Sequence, residues 1–247
     1  MKRREFVLGT VTGVAGTGLA VAGGMGYRKS ASYDGRRSFS QQGEDIVLWH
    51  AAHDILKAEH PTYMDVGAAD PTKSNNTYLM YGTGGHGVLI EPNPMFVEQL
   101  RRVRPQDIVV AAGIGVDATK EADYYLIKDN PMLNTFSPEQ ADYLKSHGHP
   151  VERVMKMPLL TLNDVIAEHL GKAPDVLSTD IEGWDYQILK SLDFDRFRPG
   201  VICAETVPMN ERAESTEITQ FLVSKGYLVR GGSLVNTIYV DARRLGS

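Results

Sequence analysis

Four carboxylates stand at the ends of short, largely apolar runs: Asp65 in Thr62-Tyr-Met-Asp-Val66, Glu91 after Gly87-Val-Leu-Ile90, Asp180 after Pro174-Asp-Val-Leu-Ser-Thr179, and Glu205 after Gly200-Val-Ile-Cys-Ala204. A lone acid in such a place usually caps the helix that follows. Four at one sheet edge repel and raise one another's pKa unless a cation or ligand sits among them. The first run breaks at Gly67-Ala-Ala69, where small side chains let the backbone turn sharply and bring its N–H groups close to a ligand. Glu91 follows Asp65 by 26 residues. An acid closing the second strand of an open α/β sheet can accept both hydroxyls of a ribose, so the layout is one for binding a nucleoside.

The elements that must position these acids follow from the same runs. Polar residues do not alternate within 62–66 and 87–91, so both read as buried strands of a parallel sheet. A third strand is expected at Asp107–Ala112. The loop Gly113-Ile-Gly-Val-Asp117 then either lies beside a bound base, with Asp117 near its amino group, or is a plain turn. Ile46, Trp49, His53 and Leu56 recur at helical spacing within a helix from about Gln42 to Ala58, on which His53 packs rather than acts as a base. Pro94 opens a helix to Arg104 with Phe96, Leu100 and Val103 inward, and Thr161-Leu-Asn-Asp164 opens another as a capping box. Residues 121–128 and 151–157 read as strands separated by a polar excursion, a lid or substrate segment longer than most connections. Ile181-Glu182-Gly183-Trp184 starts a helix to Leu192, and a helix spans Ser215–Lys225. Residues 227–230 and 234–240 pair around Gly231-Gly232 as an antiparallel hairpin, with Asn236 on the substrate side.

Composition removes several functions. A net charge of −5 and a pI near 5.8, with no basic stripe, argue against a nucleic-acid partner. The single cysteine, Cys203, lies in an apolar run and reads as a core residue; the scattered histidines give no metal-ligand spacing. Gly82-Thr-Gly84-Gly-His-Gly87 spells G-x-G-x-x-G, yet it precedes a strand instead of following one, so it reads as a helix stop and not as a dinucleotide site.

Asp65-Val-Gly-Ala68, Ile90-Glu-Pro-Asn-Pro94, Thr161-Leu-Asn-Asp164 and Asp180-Ile-Glu-Gly183, in this order, resemble the FkbM-type family of S-adenosylmethionine-dependent methyltransferases, over about Ser38 to Val240. Ser40-Gln41-x-Gly43-Glu44-Asp45 and Ser74-Asn-Asn-Thr77 resemble a subset that, like this chain, has proline in the first loop (Pro71). The resemblance implies a Rossmann-like α/β fold, a mostly parallel seven-stranded sheet ending in an antiparallel hairpin with helices on both faces. It implies S-adenosylmethionine as cofactor and a small-molecule hydroxyl as acceptor, on a sugar or natural-product-like scaffold. On that basis Asp65, Gly67 and Ala68 hold the cofactor's amino-acid and ribose end, Glu91 its ribose hydroxyls, and Asp117 lies at the adenine. Gln41 and Glu44 reach the cofactor loop or cap the first helix. Asp180 or Glu182 is the base, or the pair coordinates a divalent ion. Family members usually have Asn where this chain has Ala69, which leaves open an exported binding module that keeps the fold without activity.

Residues 1–26 combine Arg3-Arg4-x-Phe6 with a weakly apolar, glycine-rich stretch ending at Ala20-Val-Ala22. They read as a twin-arginine-like export signal or a membrane anchor, with 27–37 a linker and 38–247 the methyltransferase domain. Export and a membrane-tethered domain facing the cytoplasm both stay open, because positive residues flank both sides of the stretch.

Overall fold

The computed structural model describes residues 37–117, 119–181, 183–207 and 216–246, so the expected leader, all of the linker but Arg37, and Glu182 lie outside the described residues. Parallel strands β1 (Thr62–Val66), β2 (His86–Ile90) and β3 (Ile108–Val110) form one half of the main sheet. The chain then builds β4 (Gly113–Ile114), β5 (Glu121–Ile127) and β6 (Val151–Leu160) into a small separate sheet. It returns to the main sheet with β7 (Val176–Thr179), β8 (Val201–Glu205), β9 (Tyr227–Gly232) and β10 (Asn236–Asp241). The order β3-β2-β1-β7-β8-β10-β9 makes a seven-stranded sheet, parallel except for β10, which runs antiparallel to both β8 and β9 and closes the sheet in a hairpin, as the resemblance implies. The order reverses between β1 and β7, and open α/β sheets bind ligands at the carboxyl ends beside such a switch point.

Seven α-helices lie in the described residues: α1 (Glu44–His50), α2 (Tyr78–Gly82), α3 (Pro94–Val103), α4 (Pro138–Ser146), α5 (Leu162–His169), α6 (Asp185–Ser191) and α7 (Thr216–Ser224). Strand residues alternate between the sheet's two faces. Met64, Val66, Val88, Ile90 and Leu177 meet Val165, Ile166, Ile188, Leu189 and Leu222 on the α5–α6–α7 side. Tyr63, Leu89, Val176, Val201 and Cys203 meet Leu48, Trp49, Met80 and Leu100 on the α1–α2–α3 side. Both faces are buried, which is why the strands read as continuous apolar runs. Asp65 and Glu205 share the parity of Tyr63 and Cys203, while Glu91 and Asp180 continue that of Leu89 and Ser178 one residue past their strands. All four acids therefore belong to the α1–α2–α3 face.

Several boundaries differ from the sequence reading. The first helix is α-helical only to His50 and continues as a π-helical turn, Ala51–Ile55, with His53 stacked on the Trp49 ring at 3.9 Å. The excursion between β5 and β6 carries structure of its own. Asn130–Ser137 holds a short 3-10 turn, and Ser137 caps α4 by accepting a hydrogen bond from Gln140 N, with Pro138 at the first helical position and Ala141 and Leu144 buried. Gly231 and Gly232 are not the hairpin turn but the end of β9; a Cβ on Gly232 would stand 2.4 Å from the Asn236 carbonyl oxygen. The G-x-G-x-x-G glycines close α2 and lead into β2, with Gly84 left-handed at φ +99°. Among the described residues no helix is long and apolar enough to cross a membrane.

Thr161 starts α5, which packs against the sheet's core: its Oγ accepts from Asp164 N and donates to the Asp164 carboxylate. Thr161→Ala is expected to lower unfolding free energy by about 1 kcal/mol and Thr161→Ser to change it little, read by urea denaturation. Equal losses in both would place the effect elsewhere than the cap.

Candidate active site

The loop after β1 is shaped by contact with its neighbours. Gly67 is left-handed at φ +83°, and a Cβ there would lie 2.2 Å from the Asp180 carbonyl oxygen, so the ends of β1 and β7 touch at this residue. Asp180 N also donates to Val66 O at 3.1 Å. The sequence predicts that the N–H groups of this loop face a ligand, and here the structure differs. Those of Gly67 and Ala68 donate to Ile90 O (3.0 and 3.2 Å), and that of Ala69 to Glu91 Oε2 (2.9 Å). The cause is register: Val66 pairs with Ile90, so the first donors past β1 fall over the last carbonyl of β2. Ala69 is itself left-handed at φ +47°, a conformation that Asn tolerates and that costs Ala about 1 kcal/mol.

Glu91 is the residue these contacts converge on. It is 4% exposed, and its Oε1 accepts from Asn93 N at 2.7 Å while Oε2 holds Ala69 N. Each oxygen keeps a lone pair for a further donor. Burial pushes its pKa up to about 7 against the two backbone bonds, which pull it down, and the charge of Asp65 adds to the rise.

The other predicted residues are placed as follows. Asp65 is buried, its Oδ2 accepting from Thr77 Oγ1 at 2.7 Å; burial raises its pKa, and the Thr77 bond and the Arg104 charge oppose the rise. Ala68 is buried between Gly67 and Ala69. Asp180 is half-buried at the end of β7, and Glu205 pairs across the ladder with Asn236. Asp117 is exposed, its Oδ1 accepting from Thr119 N. Thus Asp65, Gly67, Ala68, Glu91 and Asp180 share one sheet edge, while Asp117 lies in the exposed loop after β4.

Glu44 reaches not the loop after β1 but β10: it accepts from Asn236 Nδ2 at 2.9 Å and from Gln42 N at 3.0 Å. The neighbouring Asp45 gathers Ser38 Oγ, Ser40 Oγ and Phe39 N. The convergence of charge is visible at Cys203, whose thiol pKa is raised first by burial and then by Glu44, Asp180, Asp65 and Asp185. Asn236 Oδ1 is a buried oxygen with no hydrogen-bond partner, next to this group. Carboxylates and an amide oxygen suit a ligand that is cationic and carries hydroxyl donors, as S-adenosylmethionine does.

Behind the loop stand Asn75 and Thr77, which the sequence marks only as part of Ser74-Asn-Asn-Thr77 with no role, and Arg104 and Asp107, which sequence reasoning misses. In the sequence Arg104 is the plain end of a helix, yet its side chain is fully buried and paired with Asp107 at 2.7 Å. Only the Arg-x-x-Asp spacing hints at this, and an exposed pair has the same spacing.

The model of the FkbM methyltransferase domain matches residues 65–229. Similar solved structures include a TehB-like SAM-dependent methyltransferase from Corynebacterium glutamicum, 7% identical, covering 82% of this chain and 89% of that one, with a TM-score of 0.43. Another is precorrin-6y C5,15-methyltransferase from Geobacter metallireducens, 15% identical, covering 83% of this chain and 91% of that one, with a TM-score of 0.41. No curated protein matches the chain.

Because the folded pKa of Glu91 lies above its ordinary 4.5, the native state retains a proton that the unfolded chain releases between about pH 4.5 and 7. Its contribution is therefore favourable at the acid end and is lost as pH rises through that window, by up to ~3 kcal/mol. Glu91→Gln should flatten that part of the stability profile, read as urea midpoints at pH 5 and 7.5. An unchanged slope would assign the dependence to other carboxylates.

Proposed function

The chain belongs to the FkbM methyltransferase domain family, and from that premise we propose that it methylates a hydroxyl oxygen on a sugar or natural-product-like small molecule. The family's cofactor is S-adenosylmethionine, which supplies a methyl group on a sulfonium that is already a good leaving system. The observation that carries the reading is the position of Asp180: an acid at the switch point whose main chain touches both Val66 and Gly67.

In this reading Glu91 receives the ribose hydroxyls, while Asp65, Gly67 and Ala68 shape the ribose and amino-acid end and Asp117 borders the adenine. Asp180 takes the acceptor's hydroxyl proton at its carboxylate, alone or with Glu182, or the two bind a divalent ion. An in-line displacement asks two things of these residues: alignment, worth roughly 7–11 kcal/mol, and a base. Trp184, 55% exposed and four residues after Asp180 in the chain, offers a flat apolar surface suited to the C–H face of a sugar ring. Residues 128–150, with α4, govern which acceptor enters. Residues 1–26 anchor the domain at a membrane or direct its export, which cell fractionation of the full chain would distinguish.

The test is transfer of labelled methyl from S-adenosylmethionine to a panel of sugars, glycosides and other alcohols, with amines and carboxylic acids alongside. Alkali-stable, ether-linked label is expected on at least one of them, and Asp180→Asn should lower kcat by about 10²–10⁴ with cofactor affinity retained. Label found only on nitrogen or carboxyl acceptors would overturn the hydroxyl assignment. A fully active Asp180→Asn would remove Asp180 as the base.

A further inference from the structure

Behind the loop after β1 lies a closed chain of polar groups that the proposed chemistry does not use. Arg104 is fully buried, and its Nε donates to Asp107 Oδ2 at 2.7 Å. Its Nη1 donates to Asn75 Oδ1, and its Nη2 to Tyr63 OH and Thr77 Oγ1, each at 3.0 Å. Tyr63 OH in turn donates to Asp107 at 2.8 Å, and Gly87 N to the same carboxylate at 2.7 Å. The guanidinium also lies over the Tyr81 ring, 5.2 Å from its centre. A planar fork with five donors is the side chain that can serve so many acceptors at once; an ammonium cannot.

Asn75 is where this chain meets the site. Its Oδ1 receives Arg104, Thr77 N at 3.1 Å and Tyr78 N at 2.8 Å, which fixes the amide plane. Its Nδ2 is thereby turned outward and donates to Ala68 O at 2.9 Å and to Asp70 O at 3.1 Å. Those two carbonyls bracket Ala69, whose N–H holds Glu91 and whose backbone is left-handed. Each of Asn75, Asn76 and Thr77 thus ties this segment to the site. Asn75 clamps the loop, Thr77 binds Asp65, and Asn76 Nδ2 donates to Ser178 Oγ on β7 at 3.2 Å.

We propose that Asn75 is a positioning residue for the cofactor: held by Arg104, it sets the course of Ala68–Asp70 and through Ala69 the placement of the Glu91 carboxylate. This rests on the reading of that loop as the cofactor loop. Asn75 touches no reacting atom. Its effect is on affinity, through a conformation of Ala69 that Ala does not favour unaided.

Two substitutions that both touch Arg104 separate positioning from mere stability. Asn75→Asp keeps the acceptor oxygen for Arg104, Thr77 N and Tyr78 N, yet sets an oxygen in place of Nδ2 against the carbonyls of Ala68 and Asp70. Tyr63→Phe removes bonds to Arg104 and Asp107 and leaves the loop untouched. In calorimetric titrations of the full chain with S-adenosylmethionine, Asn75→Asp should weaken binding roughly ten-fold or more, the loss of two hydrogen bonds on the loop. Tyr63→Phe should lower the urea midpoint while keeping affinity within about two-fold. Wild-type affinity in Asn75→Asp, or equal weakening in Tyr63→Phe, would overturn the proposal and leave the cofactor assignment standing. A wild-type chain that does not bind S-adenosylmethionine would overturn the cofactor reading, and this inference with it.

Discussion

The site depends on one buried carboxylate held by two backbone N–H groups. Glu91 joins the loop after β1, through Ala69 N, to the turn after β2, through Asn93 N, and Asn93 in turn caps α3 by accepting from Met95 N. A carboxylate in this place is costly unless it is hydrogen-bonded, and the two bonds oppose the desolvation that would otherwise keep it neutral. The balance leaves it near pKa 7, poised between a neutral group that steadies the empty fold and an anion that can receive hydroxyl donors. The touching of Gly67 and Asp180, the left-handed Ala69 and the Asn75 clamp all shape the loop whose Ala69 N–H reaches that carboxylate.

Much of this was legible in the chain because parallel strands buried on both faces announce themselves. The runs ending at Asp65, Glu91, Asp180 and Glu205 have no polar alternation, and their order with the small residues at 67–69 marks the carboxyl edge of the sheet. The misplaced glycine pattern could be set aside for the same reason, since it lies before β2 and not after a strand. What stayed hidden depends on contacts between residues far apart in sequence. Register, not composition, turns the loop's N–H groups towards Ile90 and Glu91. Arg104 could be known as a core residue only once Tyr63, Asn75 and Thr77 were seen around it.

The same contrast separates the two halves of the site. The cofactor side is built from strand ends whose geometry the sheet dictates. In the proposed reading the acceptor side is built from connections: the β5–β6 excursion with α4, and the exposed Trp184. Connections carry specificity because they vary without disturbing the sheet. The family and its cofactor therefore follow from the strand ends, and in the proposed reading the acceptor is a matter for those loops.

The most direct test of the central claim is the affinity of the chain for S-adenosylmethionine, measured by calorimetry from pH 6 to 8. If the Glu91 anion receives the ribose hydroxyls, affinity should rise with pH through about 7, approaching ten-fold per unit on the acid side. A flat profile, or one that falls with pH, would contradict the assignment of Glu91 as the cofactor's anchor.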